Sequence, residues 1–201
     1  MAPKRVDRAA RREEILGAAV RVFARKGFAA SRIEDVAAAA GIGKGSVYLY
    51  FASREALLTA AFEELASTSA DILREARADS RPALDRLAAL VHAVLRSMAQ
   101  RPELSRILLD LWSASRGGEG LPLDMGAVYA DYRAAVAELL REAATEGAVR
   151  PEVGTRHATV VVAAVEGCLL QWLVDPRLPL IELADPIVSI CLDGVRLGAT
   201  R

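Results

Sequence analysis

The sequence predicts an all-α chain: an N-terminal three-helix unit with a helix-turn-helix pattern, joined by a long helix to a larger C-terminal helical domain. Three observations predict it. Every segment with a clear hydrophobic period has the helical one, no segment convincingly alternates, and glycines, prolines and capping residues fall between the periodic stretches. The composition agrees, since 53% of residues are hydrophobic but only 5% aromatic, so the core must be filled mainly by Ala, Leu and Val. The charged residues are mostly Arg and Glu, which suit helices.

The elements follow in order. Ile15, Ala18, Ala19, Val22 and Phe23 make the stripe of a first helix over about 10–26. Gly27 stops it just after Arg25 and Lys26, a basic pair that suits a helix C-terminus. Ser31, with Glu34 three residues on, has the spacing of a capping box and opens a short helix with Ile33, Val36, Ala37 and Ala40 inward, ended by Gly41. A third short helix is expected from Gly43 to Tyr50. Ser53 caps a fourth, which begins at Arg54 and runs to about residue 78 through Leu57, Leu58, Ala61, Phe62, Leu65 and Ile72.

Pro82 and Pro102, tolerated in a first turn, open helices of about 82–100 and 102–115. Gly117, Gly118 and Gly120 mark a loop. A long helix near 122–146 carries Val128, Tyr132, Val136, Leu139 and Ala143 on one face, and Gly147 stops it. The next spans about 155–174 and closes at Asp175-Pro176; its β-branched run Thr159–Val165 lacks turn signals and is read as a buried helix. Residues 176–183 are expected as a loop. Asp185-Pro186 is expected as cap and first turn of a last helix over about 186–198, ending near Gly198. The domain boundary is placed after residue 55, giving 1–55 and 56–201.

The net charge is zero but unevenly spread. Residues 1–60 hold eleven basic and six acidic side chains, so a basic N-terminal part sits on an acidic body. No run of about 18 uncharged apolar residues occurs, which argues against a membrane span. The opening stretch MAPKRVDRAARREE is charged and lacks the apolar region of a signal peptide, so a cytoplasmic location is expected. Cys168 and Cys191 are then expected to be reduced, as two small residues on neighbouring helices.

The informative stretch is residues 31–54, SRIEDVAAAAGIGKGSVYLYFASR. Two short helices meet there at a glycine-containing turn. Ala37, Ala38 and Ala40 permit close helix packing, Gly41 permits the turn, and Ile42 and Val47 plug the small core. The second helix turns Lys44, Ser46 and Tyr48 outward, and its bare amino end at Gly43 and Gly45 favours a phosphate.

This segment resembles the DNA-binding domain of the TetR family of transcriptional regulators. The resemblance runs through EEILGAAVRVFARKGF, SRIEDVAAAAGI and GKGSVYLYFASREALL. It implies that Lys44 binds phosphate, that Gly45 and Ser46 face the groove, and that Tyr48 and Tyr50 are the tyrosines of a YxYF motif contacting phosphates or base edges. The resemblance further implies that Phe51 packs inside, that Arg54 holds a phosphate at the start of the fourth helix, and that Ser31 and Arg32 stand at the amino end of the helix that crosses the backbone. Leu49 departs from a frequent histidine; it either touches a thymine methyl or faces away. Gly43 replaces a frequent serine.

The resemblance also implies that the C-terminal domain binds an effector and dimerises. Expected partners are double-stranded DNA carrying a palindromic operator, a second copy of the chain, and a small apolar or aromatic effector with one polar handle. The last two helices, with Val160, Val161, Ala164, Leu169, Trp172, Ile187, Ile190, Cys191 and Leu197, are the most apolar pair. Core packing and a dimer interface are both open for them, on different faces. Candidate effector-lining residues are His92, Trp112, Met125, Tyr129, Tyr132, Cys168 and Trp172, each of which also suits a core role.

Catalysis is not expected. The only histidines, His92 and His157, lie in different helices, and there is no HExxH, CxxC or strand-linked glycine-rich nucleotide loop, so no catalytic residue, metal or cofactor is assigned. The alternatives are an architectural DNA-binding protein without effector and a helical enzyme. Repression or activation depends on operator position, which lies outside the chain.

Overall fold

The structure, a computed structural model, describes residues 7–114, 124–193 and 195. Among them nine α-helices occur: α1 (Arg8–Lys26), α2 (Ile33–Ala39), α3 (Lys44–Tyr48), α4 (Arg54–Ala78), α5 (Ala83–Gln100), α6 (Pro102–Ala114), α7 (Met125–Thr145), α8 (Thr155–Val174) and α9 (Ala184–Asp193). No strand occurs among the described residues, and the fold is all-α as expected. The expected loop at Gly117, Gly118 and Gly120, together with Leu197 and Gly198, lies outside the described residues.

Local chemistry sets the helix ends. The Asp7 carboxylate accepts from the backbone N–H groups of Ala9 (3.0 Å) and Ala10 (3.3 Å) and so caps α1. Gly27, at φ 78°, ends that helix in a conformation that favours glycine, its N–H donating to Phe23 O. Ser53 caps α4, its Oγ accepting from Ala56 N at 3.1 Å.

Three expected boundaries are corrected. The box opening α2 is one residue later: the Arg32 N–H donates to Asp35 Oδ2 at 2.9 Å, while the Ser31 hydroxyl donates to Gly27 O at 2.7 Å and is unavailable as a cap. Pro82 is the residue before α5, whose first N–H, at Ala83, is instead met by the Glu146 carboxylate from just past the end of α7 (3.1 Å). The segment expected as loop contains a 3₁₀ turn at Leu180–Leu183, and α9 starts two residues early, so Asp185 and Pro186 lie in its first turn.

The chain separates into two compact units. The first comprises Met1–Leu65 with Glu103–Leu123. In it α1 packs on α2 and α2 on α3. Ile15, Val22, Phe23, Val36, Val47, Leu57 and Phe62 are fully buried. The Phe23 and Phe28 rings meet edge-on, centroids 5.2 Å apart.

The second unit comprises Ala66–Pro102 with Asp124–Arg201. Its core joins Leu87 and Leu95 of α5, Leu139 and Leu140 of α7, Ala158 and Val161 of α8, and Ile187 and Leu192 of α9. Each buried leucine contributes about 1.5–3 kcal/mol. Buried Arg86 bridges α5 to α7 through an ion pair with Glu142.

Helix α8 corrects a further expectation. It is long and apolar enough to cross a membrane by length and composition, although the sequence lacks a fully uncharged run of that length. Ala158 and Val161 are its buried residues, and Val162, Ala164, Val165, Cys168, Leu169 and Trp172 are partly buried against the core, so the helix is not buried all round as the sequence predicts. Core packing and exposure divide between faces: Val161 and Ile187 are core, whereas Val160, Val174 and Ile190 are 63%, 82% and 78% exposed.

Candidate nucleic-acid interface

The turn between α2 and α3 depends on Gly41, which stands at φ 68°. Its neighbours close the α2 end, with Ala40 N bonded to Val36 O at 2.9 Å and Ile42 N to Ala37 O at 3.0 Å. Val47 is fully buried and Phe51 nearly so, which anchors α3 from beneath; Ile42 is half-buried. The Arg12 guanidinium lies over the Phe51 ring at 5.1 Å and that of Arg8 over Tyr50 at 5.9 Å.

With Val47 turned inward, Lys44, Gly45, Ser46, Tyr48 and Leu49 are turned out, Tyr48 being 47% and Leu49 71% exposed. Arg32 is exposed and Tyr50 half-buried. An added Cβ at Gly43 or Gly45 would meet nothing within 4 Å, so the approach to the start of α3 is open. The structure thus brings Lys44, Gly45, Ser46, Tyr48 and Leu49 onto one short exposed element.

Ser31 and Arg54 are placed differently. Ser31 is 1% exposed and bonded within the chain. Arg54 Nη1 donates to the carbonyls of Phe28 (2.9 Å), Ala29 (3.2 Å) and Ser31 (2.7 Å), and the guanidinium stacks over the Phe28 ring at 4.3 Å. Both hold the α1–α2 connection.

Electrostatics link the two helices. Lys44 Nζ pairs with Glu34 Oε1 at 2.5 Å, and Lys26 pairs with Asp35. The hydrogen bond from Lys44 is the main cause holding the Glu34 carboxyl below its ordinary range, and it raises Lys44 in return. Lys26 does the same to Asp35. Sequence reasoning missed these pairs, because their partners are nine and ten residues apart on different elements.

The effector candidates also separate. On α7 the Tyr129 hydroxyl donates to Glu166 Oε1 of α8, and burial, then this bond, pushes the phenol up. Tyr132, one turn on, has its hydroxyl buried beside Ser69 of α4 without a partner of good geometry. Met125, Cys168 and Trp172 are half-buried, and Cys168 and Trp172 pack against the core of the second unit. His92 instead turns to Asp185 at the start of α9, 2.9 Å away. The Trp112 side chain lies outside the described residues. Burial pushes the thiols of Cys168 and Cys191 up, away from thiolate chemistry. Glu166 was missed by sequence reasoning; its one signal is a carboxylate alone in the otherwise uncharged run from Ala158 to Val174.

A short exposed helix, footed on a buried valine and joined by a glycine turn to a second helix, defines a helix-turn-helix DNA-binding protein. Comparison with known proteins narrows the class. Residues 15–61 match the model of bacterial regulatory proteins of the tetR family, and residues 82–193 match the C-terminal model of BetI-type transcriptional repressors. The nicotine-responsive transcriptional repressor HdnoR of Paenarthrobacter nicotinovorans is 27% identical over 96% of this chain and 100% of its own. The uncharacterized regulator YerO of Bacillus subtilis (strain 168) is 49% identical over 53 residues, 26% of this chain and 18% of that one. The fatty acid degradation regulator FadR from Bacillus halodurans superposes with a TM-score of 0.72 at 26% identity, over 90% of this chain and 94% of that one. The chain belongs to the TetR family and is a DNA-binding transcriptional repressor.

Proposed function

We propose that the chain acts in the cytoplasm as a homodimer that reads a palindromic operator and leaves it when a small apolar or aromatic effector binds. The exposed run Lys44, Gly45, Ser46, Tyr48 and Leu49 above buried Val47 carries the DNA half of this reading. Lys44 exchanges Glu34 for a phosphate, Tyr48 and Tyr50 contact backbone or base edges, Arg32 meets the backbone, and Leu49 reads a thymine methyl. Ser31 and Arg54 position this surface from behind. Residues 1–55 form the reading head and 56–201 the sensing and dimerising body.

The uncovered apolar side chains of α8 and α9, Val160, Val174 and Ile190, support pairing of two copies through these helices. Pairing sets two recognition helices about 34 Å apart, one turn of DNA. The effector half is supported by relatives whose names give small-molecule roles, nicotine for HdnoR and fatty acid degradation for FadR. Effector binding changes that separation, with a coupling of about 1–3 kcal/mol. No catalytic step is assigned.

The test is binding of the purified protein to its own upstream DNA at two salt concentrations, beside Lys44→Ala and Tyr48→Ala. Tight binding to one palindromic segment, falling steeply with salt and weakened in both variants, is expected. Weak binding, equal on all DNA and indifferent to both substitutions, would replace this reading with an architectural one.

A further inference from the structure

In the second unit one carboxylate lacks what several of its neighbours have. Asp79, Glu138, Glu142, Glu152 and Asp175 each meet an arginine. Glu166, half-buried midway along α8, meets the Tyr129 hydroxyl, and no Lys, Arg or His pairs with it among the described residues. A carboxylate offers about four acceptor positions, and one phenol fills one of them. Glu166 is only partly buried, so its remaining acceptor positions stay open to a donor that reaches it.

The surroundings suit an organic cation rather than a metal ion. No group of three metal-ligating side chains occurs among the described residues. Two aromatic rings, Tyr129 and Tyr132, follow each other at i, i+3 on α7 and so share a face. The Tyr132 hydroxyl is itself buried beside Ser69, so it is the ring of Tyr132 that is available to a ligand. Val162, Val165 and Leu169, around Glu166 on α8, pack against the core and supply apolar surface.

We infer that Glu166 is the counter-charge for a cationic, amine-bearing effector whose apolar or aromatic body lies against Tyr129 and Tyr132. This rests on the second unit being the sensing body. An ammonium group donates to the open lone pairs of Glu166 in a charge-assisted bond, and the tyrosine rings attract the same charge through their faces. A carboxylate at that place faces Glu166 and is repelled.

Two probes of matched shape and opposite charge test this: phenylbutylamine and phenylbutyrate, titrated calorimetrically into the full-length protein without DNA. Wild type should bind the amine and not the acid. Glu166→Gln should bind the amine at least about tenfold more weakly, the loss expected when a charge-assisted bond becomes a neutral one, with its melting temperature showing that it folds. Tyr132→Leu, which removes the ring and keeps an apolar side chain, should weaken amine binding by a smaller factor. Should Glu166→Gln fail to fold, the amine-over-acid preference of wild type decides alone. The inference is overturned by equal amine binding to Glu166→Gln, by failure of wild type to bind either probe, or by preference for the acid. Operator binding is measured separately. A protein that holds its operator but ignores the amine rejects only the charge assignment, whereas one that binds no DNA rejects the sensing-repressor reading itself.

Discussion

Arg54 gives one nitrogen to three carbonyls and its flat face to Phe28, whereas Lys44 gives its ammonium to one exposed carboxylate. The two cations should therefore answer mutation oppositely. Arg54→Ala should lower the stability of the head by about 1–3 kcal/mol, because three carbonyls lose a charged donor. Arg54→Lys should recover little of it, lacking the planar fork. Unchanged melting of both variants would show that the clamp carries no stability. Lys44→Ala should melt only slightly below wild type at neutral pH and lose operator affinity, with the salt slope reduced by about 1. The Glu34 pair adds a pH signature. A carboxyl whose folded pKa is depressed stabilises above its ordinary range of about 4, and that contribution fades as pH falls through the depressed value. Any melting difference between wild type and Lys44→Ala should thus shrink on acidification; a difference that widens would contradict the pairing. Glycines separate in the same way. Gly41→Ala, at φ 68°, should cost about 1 kcal/mol. Gly45→Ala, inside α3 with nothing within 4 Å, should melt as wild type or slightly higher, since alanine favours a helix, and any loss of operator binding then reports the approach of DNA.

At the scale of elements, α5 borrows its cap from the end of α7, since Ala83 N–H is met by Glu146 sixty-three residues away. Glu146→Ala should cost about 0.5–2 kcal/mol in thermal unfolding, and Glu146→Gln, which keeps an acceptor, should cost less. If both melt as wild type, solvent caps α5 equally well. Such long-range caps are invisible to periodicity, which sees only neighbours. Periodicity did expose the helices themselves, because stripes such as Ile15, Ala18, Ala19, Val22 and Phe23 bury as a unit. It failed at ends where two side chains compete. Ser31 has a capping residue's chemistry, yet its hydroxyl found the Gly27 carbonyl, and the cap passed to Arg32 and Asp35. The exposed face of α3 was legible because its residue types and spacing are local. The uses of Arg54 and Glu166 were not, because their partners lie 23 to 37 residues away.

At the scale of the molecule, the proposed pairing of two copies rests on the uncovered side chains of α8 and α9. Ile190→Glu together with Val160→Glu should turn a dimer into a monomer by sedimentation and weaken operator binding, while leaving the head's fold intact. Persistence of the dimer would move the interface elsewhere. The single-copy core should be indifferent to that change but sensitive to Leu139→Ala, at about 2–5 kcal/mol. One contact bears on mechanics. Arg54 is the first residue of α4 and grips the loop between α1 and α2 at three points. The first turn of α4 and that loop are therefore moored together, and neither can shift by the length of a hydrogen bond without dragging the other along.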